Sequence, residues 1–119
     1  MAIQLEDLNV PRAAQLSIDI KLSATVNVTA FAARQKVTGY VADELSTHMH
    51  GGEPVLSVGQ CIAWRVPVIL SLPPHGDLGE VGHIEVDVET GQLMVSSALL
   101  EEMRHRAEAL ATRPARPTA

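Results

Sequence analysis

Between Leu16 and Val28 the chain alternates without a break. Leu16, Ile18, Ile20, Leu22, Ala24, Val26 and Val28 are apolar; Ser17, Asp19, Lys21, Ser23, Thr25 and Asn27 separate them. Period two belongs to a strand with one face on a core and the other in water, so this segment predicts a half-buried strand. Thirteen residues at about 3.3 Å each would reach about 40 Å, longer than an ordinary strand. Such a strand must bend, bulge or run past its own sheet to meet another subunit. Isologous pairing of two copies would bury the edges, which predicts a homodimer with Ile18, Ile20, Leu22 and Val26 at the interface.

The period changes after Thr29, a residue able to N-cap a helix. Ala30, Ala33, Val37, Val41, Leu45 and Met49 recur at steps of three and four, predicting an amphipathic helix over 30–49 that stops at Gly51-Gly52. Gly39 inside it costs about 1 kcal/mol relative to Ala, which suggests close packing on the sheet. Short strands are predicted over 55–58, 61–72 and 81–88, with a brief continuation at 93–95. Pro67 gives the second of these an edge-like or bulged place. Pro73 to Asp77 reads as a loop, and Glu89-Thr90-Gly91 as a turn with Gly91 suited to positive φ. Ser96 or Ser97 caps a last helix with Leu99, Met103, Ala107 and Leu110 on one stripe, and Glu101 and Glu102 in its first turns suit the dipole. Pro114 stops that helix.

The expected fold class is therefore α+β. Its order is β-α-β-β-β-α, a curved antiparallel sheet of about four strands with two helices packed on one face. The expected organisation is an irregular segment over 1–15, one domain over 16–112 and a flexible tail over 113–119. A chain of 119 residues has room for one core, and apolar content of 46% places it in the globular class. Phe31, Tyr40 and Trp64 are the only aromatic residues, so the core must be aliphatic, with Trp64 an anchor within it.

Charge and cysteine narrow the function classes. The net charge is −5. Residues 104–119 hold four arginines against Glu108, while the remainder has five basic against thirteen acidic residues. An acidic body and few exposed rings oppose nucleic-acid binding. Residues 1–12 lack the basic start and apolar stretch of a signal peptide, and no apolar run reaches the roughly 20 residues of a membrane helix. A cytoplasmic protein without a membrane partner is expected. Cys61 is a single cysteine in an apolar run, read as a buried small side chain rather than a reactive thiol.

Two constellations carry candidate chemistry. His48, His50 and Glu53 contain a pair of histidines two residues apart; at the end of a helix these point apart, so no metal site is expected there. His75 and Asp77 in the loop, with His83, Glu85 and Asp87 on one strand face and Arg65 nearby, form a patch able to bind a ligand if the loop folds back toward Asp19 and Lys21. Ordinary solvation of a charged face explains the same letters, and Arg65 is a natural cross-strand partner for Glu85 or Asp87. No nucleophile elbow or phosphate loop is present. Neither a cofactor nor a catalytic set is expected.

The string Ile84-Glu85-Val86-Asp87-Val88-Glu89-Thr90-Gly91-Gln92-Leu93 resembles the closing hairpin of PepSY-type domains. There a strand ends in Asp and two residues precede Thr-Gly and a return strand. Trp64-Arg65-Val66-Pro67-Val68 and Gly79 to Asp87 are also similar to small uncharacterised bacterial proteins, so the likeness covers about residues 62–95. It implies an α+β fold. PepSY-type domains are exported and inhibit or chaperone peptidases, whereas this chain departs from them in lacking a signal segment and adding a C-terminal helix. The function expected from the residues is a non-enzymatic binding or protein-interaction module acting as a homodimer or on a second protein. An antitoxin-like regulator and a ligand-binding or metal-assisted enzyme using the His/acid face are the alternatives.

Overall fold

The computed structural model describes residues 3–5 and 23–112. Its elements in chain order are β1 (Ile3–Leu5), α1 (Ala30–Glu44), β2 (Met49–Gly51), β3 (Val55–Val58), β4 (Ile62–Leu72), β5 (Gly76–Asp87), β6 (Leu93–Met94) and α2 (Ser97–Ala111). The fold is α+β: one open sheet in the order β1-β3-β4-β5-β6, with β2 on β4 beside β3. All pairs are antiparallel except β1 with β3. Both helices pack on one face.

β4 organises the sheet. β5 takes one edge from Ala63 to Leu72. β3 and β2 divide the other, at Ile62–Arg65 and at Val68–Leu70. Trp64, Val66, Val68 and Leu70 point to the helices and are buried, as period two requires of a central strand. They join Ile84, Val86 and Val88, Ala33, Val37 and Val41 of α1, and Met103 of α2 in one core cluster. Trp64 is the anchor expected: its indole N–H donates to the carbonyl of Val28 at 2.7 Å.

The curvature has a local cause. On β5 the register passes from Val68↔Gly82 to Ile69↔Glu80, then from Leu70↔Gly79 to Ser71↔Asp77. Val81 and Leu78 are therefore extra residues, two β-bulges that bend the strand and raise its twist. Val81 is fully buried and Leu78 packs against the core. Each bulge lets β5 offer the helices two successive residues, one of them a glycine. α2 comes close at these glycines: a Cβ on Gly82 would lie 2.7 Å from Met103 Cγ, and one on Gly79 3.4 Å from Leu110.

Several expectations are corrected. The alternating segment has no strand ladder over 23–28; Ile18, Ile20 and Leu22 lie outside the described residues. Asn27 and Val28 both donate to the Val88 carbonyl, and Thr25 N donates to Glu89. This backbone is tied to the end of its own β5, and Val26 is 55% exposed. A strand, Ile3–Leu5, lies instead in the N-terminal segment expected to be irregular. Helix α1 begins with Thr29 as N-cap but ends at Glu44, not at 49. Met49 keeps the helical spacing by coincidence, since it is buried from β2.

Gly51 is not a helix stop. It is where β2 touches α1: its N–H donates to Thr38 Oγ1 at 2.9 Å, and Arg34 Nε donates to its carbonyl at 3.0 Å. A Cβ there would lie 2.9 Å from the Arg34 carbonyl oxygen. In α2, Ser96 is the N-cap. Glu101 and Glu102 sit beyond the first turn, where they pair with Arg104 and Arg106.

Gly39 also departs from expectation. It is exposed, and no described neighbour comes within 4 Å of where a methyl group would sit. Gly39→Ala is therefore expected to stabilise the chain by about 0.5–1 kcal/mol in denaturant unfolding. Gly82→Ala, by contrast, is expected to cost about 1–3 kcal/mol by overpacking against Met103. In the Gly82→Ala/Met103→Ala double variant the two losses should add to less than their sum.

Candidate functional site

The face of the sheet turned away from the helices carries the candidate residues. On β4 it is formed by Ala63, Arg65, Pro67, Ile69 and Ser71, which alternate with the core residues. The register sets Asp87, Glu85, His83, Glu80 and Asp77 of β5 opposite them in turn. His50 lies opposite Ile69 on the other side. The residues singled out from sequence thus share one face, but not one pocket. Ten residues of strand, roughly 30 Å at 3.3 Å per residue, separate Asp77 from Asp87.

Each has a separate local setting. Arg65 Nη2 donates to Glu85 Oε1 at 3.2 Å, with both side chains about three-quarters buried. This is the cross-strand pair that adjacency on β4 and β5 favours. Asp87 closes the turn after β5: its Oδ1 accepts from the N–H groups of Glu89 (2.8 Å) and Thr90 (2.9 Å). Gly91, at φ 75°, returns its N–H to the Asp87 carbonyl. The Thr90 and Glu89 N–H groups hold the Asp87 carboxyl below its ordinary range. Asp87, Glu89, Thr90 and Gly91 together build this turn. His83 is exposed on the open strand, and His75 is exposed in the short Pro73-Pro74-His75 connection.

Asp77 is not in a loop. It belongs to β5, pairs in register with Ser71 and accepts a hydrogen bond from the Ser71 hydroxyl. Its Oδ1 lies 4.0 Å from His50 Nε2. Here the fold brings together groups that a helical placement of the histidines would keep apart. His48 and His50 follow the helix rather than end it, and Ser71 N donates to the His48 carbonyl at 2.8 Å, which continues the β2–β4 ladder by one residue. Side chains two apart on such a ladder share a face. Both histidines line a cleft of about 410 Å³, with Met49, Leu72 and Pro73 among its walls. Among the described residues, no three His, Cys, Asp or Glu side chains stand ready to hold a metal ion.

A second cleft of about 250 Å³ lies at the opposite end of β4, where Cys61 meets Asp87 and Glu89. Cys61 is exposed rather than buried, because β4 begins one residue after it. No helix among the described residues is long and apolar enough to cross a membrane. Comparison with protein-family models, curated proteins and solved structures finds no match to this chain.

The Asp87 turn gives a pH dependence of definite sign. A carboxyl whose folded pKa is depressed stabilises the fold above its unfolded value, about 3.9, and that contribution is lost as pH falls through the folded value. Asp87→Ala is expected to lower the melting temperature at pH 7. The difference from wild type should begin to shrink below about pH 4 and vanish at lower pH. A difference independent of pH would show that the carboxylate is not the operative group.

Proposed function

We propose that this chain is a non-enzymatic protein-interaction module that takes an extended, basic segment of a partner as an added strand on β5. The observation that carries this reading is an open edge. β6 covers β5 only at Glu85 and Val86, and from Gly76 to Ile84 no described strand lies on that side. Odd-numbered residues of β4 turn their backbone groups to β2, as the Gly52 N–H to Pro67 carbonyl bond shows. Even-numbered ones therefore bond to β5, at Ile84 and Gly82. His83 lies between these, so its N–H and carbonyl point away from β4 into the open edge.

Main-chain groups in such an edge supply affinity for an incoming strand, and neighbouring side chains supply selectivity. The neighbours are Asp77 and Glu80, both exposed, which favour lysine and arginine on the partner. The bulges at Leu78 and Val81 twist the edge and disfavour indiscriminate stacking. A homodimer is the second form of the same reading, carried by the alternation of Leu16–Val28. Joined along β5 instead, two copies would bring these acidic side chains together.

Amide NMR shifts of the full chain, titrated with a short peptide alternating lysine and valine, test the proposal. Shifts confined to Gly76–Ile84, absent with a glutamate–valine peptide and lost in His83→Pro, are expected. Proline at that place removes an edge donor and no β4 bond, and its melting temperature controls for folding. Sedimentation of the free chain reads the alternative: a dimer insensitive to His83→Pro would favour the first-strand interface. A monomer whose β5 amides ignore the peptide would overturn the reading.

A further inference from the structure

We infer that α2 roofs the open edge of β5 and admits an added strand only with small apolar side chains, alanine or valine, on its helix-facing side. The inference rests on the strand-addition reading. It narrows the partner to a two-faced segment, basic toward Asp77 and Glu80 and small toward α2. The course of the helix carries it. Met103 lies over Gly82 and Leu110 over Gly79. From Met103 to Leu110 a helix rises about 10 Å, and from Gly79 to Gly82 a strand spans about 10 Å. α2 therefore runs along β5 in the opposite direction, above the stretch that no described strand covers on its far side.

A helix with its side chains is about 10–12 Å across, and neighbouring strands lie about 4.8 Å apart. A strand added beside β5 thus lies beneath the outer flank of α2. Arg104, whose Nη2 donates to the Glu44 carbonyl, marks the flank turned to α1. At about 100° per residue, Leu99, Glu102 and Arg106 fall on the other side of Met103. Leu99 is half-buried and packs on the core, while Glu102 and Arg106 pair with each other at the rim. The underside of that flank is apolar. It is also low, because the helix descends onto glycines: a Cβ on Gly82 would lie 2.7 Å from Met103 Cγ. A strand continuing the sheet meets the same low roof, where a large side chain overpacks. The opposite face sets no such limit, since Asp77 and Glu80 are exposed and leave room for long basic side chains. Alternation along the added strand sends successive residues to the two faces in turn.

Amide NMR titration of the full chain with two peptides of equal length tests this. One alternates lysine with valine and the other lysine with phenylalanine, both good strand formers. The lysine–valine peptide is expected to shift the amides of Gly76–Ile84 and also those of Leu99 and Arg106. The lysine–phenylalanine peptide should bind at least about tenfold more weakly. Leu99→Ala, which raises the roof, should narrow that ratio. Leu100→Ala, a like truncation on the α1 flank, should leave it unchanged, and melting curves of both variants establish that they are folded. Equal affinity for the two peptides, or a ratio unmoved by Leu99→Ala, would overturn the inference and leave strand addition standing. β5 amides that ignore both peptides would overturn strand addition and this inference with it.

Discussion

β4 is hydrogen-bonded along both edges, and its even-numbered side chains form the floor on which both helices rest. Trp64, Val66, Val68 and Leu70 face that core while Arg65, Pro67, Ile69 and Ser71 face away. The two-edged pairing also explains how Pro67 is accommodated in a central strand. Its nitrogen lies toward the gap between β3 and β2, where a missing donor breaks no β5 bond. From this one strand follow the positions of β5, of its bulges and of the polar face.

The bulges link the sheet to its surface. By inserting Val81 and Leu78, β5 turns two glycines toward α2 and lets Met103 and Leu110 approach the backbone. The first insertion turns Glu80 to the outer face and the second returns Asp77 to it, so acidic side chains flank the edge that no described strand covers beyond β6. A strand without bulges would have kept strict alternation along its whole length. Packing of α2 and the character of the edge are thus one device.

What was legible in the sequence was whatever depends on local periodicity and local turn chemistry. The caps Thr29 and Ser96, the core stripe Ala33, Val37 and Val41, the strand ending near Leu72, and the Asp87–Gly91 turn all belong to this kind. The α+β class followed from their order. Long-range pairing was not legible. Alternation over 16–28 specifies an extended pattern but not a partner, and over 23–28 the backbone bonds singly to Val88 and Glu89 instead of entering a ladder. The three residues of β2 are too few to show a period, and Met49 fell into the helical stripe. That coincidence moved His48 and His50 from a strand face to a helix end and hid the cleft they line. The bulges are marked in the sequence only by Gly79 and Gly82, and a glycine within a strand signals an insertion or a close backbone approach without telling which.

Among the described residues β5 has one bonded edge and one open edge from Gly76 to Ile84. Amide hydrogen exchange of the free chain, followed residue by residue at low concentration, tests it most directly. Strong protection is expected at Gly82, Ile84 and Val86, which lie opposite Val68, Val66 and Trp64 of β4, and fast exchange at His83 between them. Protection of the His83 amide equal to that of its neighbours in a monomeric sample would mean that the edge is already covered, and would contradict the account.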